Sequence, residues 1–121
     1  MAQKKTLVLG ASENLGRYSN KAIRMLREFG HEVVAIGKET GRVLDVPFSK
    51  ERPDFTDIDT VTLYLNPANQ QSYYDYILSL HPKRIVFNPG TENPQLEEMA
   101  RAAGIIPQEA CTLVLLSTGQ Y

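Results

Sequence analysis

At 121 residues the chain has the length of a single domain, residues 1–121, and can bury a core without disulfide or metal staples. Its net charge of -1 gives no support to nucleic-acid binding, which usually needs a strongly basic face, and leaves room for a local basic patch that holds a small polyanion. No apolar run approaches the roughly 20 residues that cross a bilayer, and the one cysteine, Cys111, cannot build a disulfide framework. With 42% hydrophobic and 22% charged residues and no internal repeat, the composition is that of a folded globular protein. No signal-peptide body follows the first residues, and a reducing compartment, the cytoplasm, is expected.

Along the chain, residues 6–10 ("TLVLG") form the first short apolar run, too short for a helix and rich enough in branched residues for a strand buried on both faces. A glycine-containing loop, "GASENLGRYS", leads into a helix with Ala22, Met25, Leu26 and Phe29 on its apolar face, stopping at Gly30. His31 then reads as a surface turn residue. Residues 32–37 ("EVVAIG") predict the second strand. Residues 38–59 are polar and punctuated by Gly41, Pro47 and Pro53; they read as a long loop with at most one irregular helical turn.

Residues 60–65 ("TVTLYL") predict a third strand, and Tyr73, Tyr76, Ile77 and Leu80 have the spacing of a second amphipathic helix. His81-Pro82 reads as a loop before the strand at 84–88 ("RIVFN"). Asn93-Pro94 has the chemistry of a helix cap and first helical residue, with Glu97 and Glu98 near the positive end of the dipole. That third helix carries Leu96, Met99, Ala100 and Ala103 and ends at Gly104. A fifth strand falls either at 112–116 ("TLVLL") or at 104–108 ("GIIPQ"), and the pattern leaves the two open. The alternation predicts an α/β domain: a doubly wound parallel sheet of about five strands, with right-handed crossovers and helices on both faces in three layers.

In such a sheet ligands bind beyond the carboxyl ends of the strands. Three segments with turn chemistry leave that edge: "GASENLGRYS" after the first strand, "LNPAN" after the third and "NPGTENP" after the fourth. Glycines at Gly10 and Gly16 let backbone N–H groups approach an anion, and the following helix N-terminus favours negative charge. Ser12 and Ser19 add hydroxyls, and Arg17 adds a cation. Lys38, with Arg42 near it, stands where a NAD-binding domain places a carboxylate, which suits a ribose phosphate better than free ribose hydroxyls.

No catalytic constellation is legible. His31 and His81 lack any metal-ligand context, no Gly-x-Ser-x-Gly elbow exists, and no serine has a lysine three positions on. Cys111 is either a small core residue or a thiol near the last strand.

These segments resemble, over nearly the full chain, the small stand-alone CoA-binding-domain proteins, relatives of the CoA-binding domain in the α subunit of succinyl-CoA synthetase. The carriers are "VLGASENLGRYS", "GHEVVAIGKE", "VTLYLNPAN", "NPGTENPQLEEMARAAGI" and the late "EACT". In the synthetase relatives the loop runs Gly-x-Thr-Gly-x-x-Gly; Gly10, Ser12 and Gly16 match it, and Glu13 replaces the middle glycine. A carboxylate there would repel a pyrophosphate, so Glu13 must point outward or the loop must differ.

The resemblance implies a Rossmann-like fold holding CoA along the strand ends. Gly10, Ala11, Ser12, Asn14, Gly16, Arg17, Tyr18 and Ser19 would lie at the phosphates and Lys38 near the ribose phosphate. Asn66, Pro67, Gly90, Thr91 and Glu92 would flank the nucleotide or pantetheine. Cys111 matches a late cysteine of the family, within reach of a mixed disulfide with CoA. The expected function is binding of CoA or an acyl-CoA without catalysis, as a monomer or homo-oligomer. The alternatives are a small NADP-dependent oxidoreductase, which lacks here any Tyr-x-x-x-Lys pair, and a subunit that has lost its ligand and serves as an interface.

Overall fold

The computed structural model describes residues 2–121. Its strands are β1 (Thr6–Leu9), β2 (Val33–Ile36), β3 (Gly41–Val43), β4 (Val46–Ser49), β5 (Thr60–Leu63), β6 (Arg84–Phe87) and β7 (Ile106–Glu109). The helices are α1 (Tyr18–Glu28), α2 (Pro67–Gln70), α3 (Tyr74–Ser79), α4 (Pro94–Ala102) and α5 (Thr112–Ser117), with one 3-10 turn at Gln71–Tyr73. The seven strands lie in the order β3-β4-β2-β1-β5-β6-β7, and every neighbouring pair is parallel except β3–β4. The expected doubly wound α/β class is present, with more strands than the five anticipated.

Alternation along β1 explains the layers. Successive side chains of a strand point to opposite faces, and β1 is central, so both faces must be apolar. Leu7 and Leu9 pack with Ile77, Leu96 and Ala100 from α3 and α4 on one side. Val8 packs with Ile23 and Leu26 of α1 and with Leu115 and Leu116 of α5 on the other. All three β1 residues are fully buried.

Several sequence expectations change. The supposed loop at 38–59 contains the hairpin β3–β4, turned through Leu44 at φ 54 and Asp45. Asp45 accepts two hydrogen bonds from the Arg27 guanidinium, at 3.0 and 2.9 Å, which fasten the hairpin to α1. This contact holds the Asp45 carboxyl below its ordinary pKa and raises that of Arg27. The open choice for the fifth strand resolves on the 104–108 side: β7 starts two residues later than that run, and 112–116 belongs to helix α5. On α1, Phe29 at the C-cap is 39% exposed and Ile23 is buried instead. The second helix is broken: Asn66 caps α2, a 3-10 turn follows, and only then does α3 bury Ile77. Half-buried Tyr73 and Tyr76 meet the crossover to β5, with Arg52 stacked 3.7 Å above the Tyr73 ring and the Tyr76 hydroxyl donating to the Pro53 carbonyl. On α4, Asn93 caps as expected and Glu97 accepts from the Asn93 N–H, but Ala103 is exposed.

His31 is a further correction. It is fully buried, not a surface turn residue. Its Nδ1 accepts the Lys4 N–H at 2.9 Å, and its ring packs on Tyr121 with centroids 5.0 Å apart. Burial, aided by the charge of Lys4, holds the imidazole pKa below its ordinary value. A depressed histidine pKa means that the unfolded chain takes the proton first as pH falls. The contribution is therefore whole above about pH 6.5 and is lost as pH drops from there toward the folded value. The urea midpoint should fall between pH 7.5 and pH 5.5, and fall less in a His31→Asn variant. Equal slopes in the two proteins would show that His31 does not govern this window.

Candidate functional site

Register aligns the edge from which the loops emerge. Leu9 pairs with Ile36 on one side and Leu63 on the other, and Leu63 pairs with Phe87, so β1, β2, β5 and β6 end level. The segments that follow them wall a groove of about 950 Å³.

The loop after β1 forms one side. Gly10 turns the chain at φ 104, and the N–H groups of Gly10 and Ala11 both donate to the Ile36 carbonyl at 2.9 Å. The loop then orders itself. Ser12 Oγ accepts from the Asn14 N–H (3.1 Å), Asn14 Oδ1 accepts from the Gly16 N–H (2.8 Å), and the Arg17 N–H donates to the Asn14 carbonyl (3.0 Å). Such Asx- and Ser-type turns are what short polar side chains stabilise. From inside α1, Asn20 Nδ2 reaches back to the Ser12 carbonyl at 3.0 Å, itself held by Arg24.

Arg17 occupies the N-cap of α1 and supplies no side-chain cap. The N–H groups of Tyr18 and Ser19 in the first turn consequently have no acceptor among the described residues. Uncapped first-turn N–H groups at the positive end of a helix of 11 residues are donors of the kind that favour an anion, and the loop above them carries an arginine.

The opposite walls come from the other strand ends. Lys38, Glu39 and Thr40 follow β2, and Phe48 of β4 stands behind them. Tyr64, Leu65, Asn66 and Asn69 follow β5, and Pro89, Gly90 and Thr91 follow β6. The last two loops are joined by buried Gln70, whose Nε2 donates to the carbonyls of Leu65 (2.8 Å) and Thr91 (2.9 Å). Gln70 Oε1 in turn accepts from Asn93 Nδ2 at 2.9 Å, and that amide also donates to the Tyr74 hydroxyl at 2.8 Å.

Of the residues singled out from sequence, Gly10, Ala11, Ser12, Asn14, Gly16, Arg17, Tyr18, Ser19, Lys38, Asn66, Gly90 and Thr91 line this one groove. Pro67, Glu92 and Cys111 do not. Pro67 is the first residue of α2 behind its Asn66 cap, and the Glu92 carboxylate folds back to accept the Gly90 N–H at 2.9 Å. Cys111 is the N-cap of α5, partly exposed. It lies close enough to Tyr64 to contribute to raising that phenol, whose pKa burial holds well above its ordinary value.

Sequence reasoning singles out none of Glu39, Thr40, Phe48, Tyr64, Leu65, Asn69 and Pro89, although the segments "LNPAN" and "NPGTENP" put Leu65, Asn69 and Pro89 at the ligand edge. Phe48 belongs to a hairpin that its segment concealed, and Tyr64 and Leu65 look like core residues of a strand. Asn69 was within reach, because Asn66-Pro67 signals a helix start and Asn69 supplies the N–H that Asn66 Oδ1 accepts at 2.9 Å. Glu13, marked as a departure, also lines the groove, but its carboxylate is engaged by the backbone N–H of Arg42 at 2.9 Å.

Similar proteins agree on the fold. The structure of an uncharacterized protein, 51% identical and covering 100% of both chains, superposes with a TM-score of 0.97. A Thermus thermophilus protein described as cell-free ID.343 has a TM-score of 0.86 at 20% identity, covering 98% of this chain and 91% of its own. A hypothetical protein from Pyrococcus horikoshii has the same TM-score at 24% identity, over 96% of this chain and 83% of its own. At such identities these two establish the fold alone. None of the curated proteins matches. The family model described as a CoA binding domain matches residues 4–117, almost the whole chain, and the protein belongs to that CoA-binding domain family.

Proposed function

We propose that the groove binds CoA or an acyl-CoA and that the protein works by holding this ligand, without a catalytic centre of its own. The observation that carries the reading is the junction of β1 and α1. A self-ordered glycine loop delivers Arg17 and two uncapped first-turn N–H groups to one end of the groove. CoA has about four negative charges, and a local anion site of this kind draws it in despite a chain of net charge -1. The pyrophosphate lies at Gly10 to Ser19, the ribose phosphate within reach of Lys38, and the remainder along Tyr64, Leu65, Asn66 and the loop at Gly90. Membership of the CoA-binding domain family supports the choice of ligand. Cys111 is outside the groove wall, so this reading gives its thiol no part.

Thermal unfolding against CoA, 3′-dephospho-CoA, NADP and NAD at matched concentrations tests the proposal. A ligand at a hundred times its dissociation constant adds about 2.7 kcal/mol, which moves the midpoint by several degrees. CoA should give the largest shift, 3′-dephospho-CoA a smaller one. A shift with NADP alone would replace CoA by a dinucleotide. Arg17→Ala should weaken CoA binding about tenfold, the worth of one charged hydrogen bond. Arg101→Ala, which removes an exposed α4 side chain paired with Glu97 and Glu98, should leave binding unchanged. Equal effects of the two substitutions would remove Arg17 from the site.

A further inference from the structure

Among the described residues, Glu13 is the one carboxylate of the groove wall that a hydrogen bond ties across the loop boundary. Its Oε2 accepts the Arg42 N–H at 2.9 Å, so the loop after β1 is tied to the first residues of β3, 29 positions away. Its aliphatic stem lies directly over Gly41: a Cβ added there would come within 2.7 Å of both Glu13 Cγ and Cδ. The hairpin is thereby drawn against the phosphate loop, and the turn between β2 and β3, with Lys38 and Thr40, becomes a wall of the groove. A cation and an anion now share that wall: Lys38 is exposed, with no hydrogen bond or ion pair among the described residues, and Glu13 is tied to the Arg42 N–H. Glu39 also lines it, exposed and with no such tie among the described residues.

We infer that Glu13 sets the charge selectivity of the groove: held in the same wall as Lys38, its carboxylate opposes a terminal phosphate at the ribose end and keeps the affinity for such ligands moderate. This rests on the reading of the groove as a CoA site. A like charge fixed near a bound anion repels it at all times, whereas a mobile one swings away. That is why the tie to Arg42 matters more than the presence of a glutamate. Glutamine at this position keeps an oxygen that accepts the Arg42 N–H and removes only the charge.

The test is isothermal calorimetry of wild type, Glu13→Gln and Glu39→Gln with CoA and with 3′-dephospho-CoA, at low and at high salt. Glu13→Gln should bind CoA about three- to tenfold more tightly than wild type, the size of one unit charge acting at close range in partly screened surroundings. The gain should be smaller for 3′-dephospho-CoA, and it should shrink at about 1 M salt. Glu39→Gln should gain less. Equal CoA affinities for wild type and Glu13→Gln would overturn the inference while leaving the CoA reading intact. The same holds for equal gains with both ligands, or an equal gain from Glu39→Gln. Absence of CoA binding in every protein would overturn the reading of the groove itself, and this inference with it.

Discussion

Replacing Asn88 by alanine should lower the unfolding free energy by about 3–5 kcal/mol, because each buried polar group that loses its partner costs about 1–3 kcal/mol. Asn88 is buried at the end of β6, and its side chain makes three short contacts. Nδ2 donates to Thr62 Oγ1 at 2.7 Å and to the Leu63 carbonyl at 2.8 Å, and Oδ1 accepts the Thr112 N–H at 2.8 Å. A further bond of 2.8 Å joins the hydroxyls of Thr62 and Thr112. One amide thus fixes β5, β6 and the first residue of α5 together. Asn88→Asp has nearly the same volume but presents only acceptors to Thr62 and Leu63, and should destabilise at least as much. Urea unfolding of both variants checks this; an innocuous aspartate would mean that volume, not hydrogen bonding, matters at this position.

Gly10→Ala should cost about 2–5 kcal/mol by the same measurement. Two independent penalties meet there. A φ of 104 is a conformation that side-chain-bearing residues hold at a cost of about 1–3 kcal/mol. The new methyl group would also lie 2.9 Å from the Tyr64 carbonyl oxygen, and relieving such an overlap costs about 1–3 kcal/mol more. Relief means parting β1 from the chain after β5, which shifts two walls of the groove at once. CoA affinity should therefore fall even at temperatures where the variant stays folded. A Gly10→Ala protein of wild-type stability would show that the turn after β1 is not confined by its neighbour.

The residues explain which parts of this fold were legible. β1, β2, β5 and β6 are buried on both faces, so burial selects apolar, branched side chains at nearly every position, and those runs are visible. β7 is an edge strand with Ile106 64% exposed and Pro107 inside it, so no such selection acts on it. The run at 112–116 is apolar for a different reason: Leu115 and Leu116 bury the inner face of α5 while Val114 is open to solvent, and five residues are too few for periodicity to separate helix from strand. The hairpin was hidden because its turn residues, Leu44 and Asp45, lack the Asn-Gly chemistry that marks tight turns and lean on Arg27 instead.

The groove was legible where turn chemistry gathers at strand ends and illegible where long-range contacts place a residue. Gly10, Asn14 and Gly16 announce themselves by type and spacing. Gln70 and the bond from Arg42 to Glu13 span 21 and 29 positions, and no local pattern carries them. His31 shows the converse. Its place after a helix-ending glycine suggests solvent, yet the packing of Tyr121 across it, from 90 positions further on, removes it from water.

The sheet order also distributes rigidity unevenly around the groove. β1 has a parallel neighbour along its full length on each side, whereas β3 is laddered through three residues to β4 alone, and β4 meets β2 through only two paired positions. Amide protons at the centre of such a sheet exchange only when the whole domain opens, while those of an outlying hairpin exchange through cheaper, local openings. The loop after β1 hangs from the centre and the Lys38 wall adjoins the periphery. Local opening is therefore cheaper at β3 and β4 than at β1, and the Arg42–Glu13 bond is one of the contacts such an opening has to break.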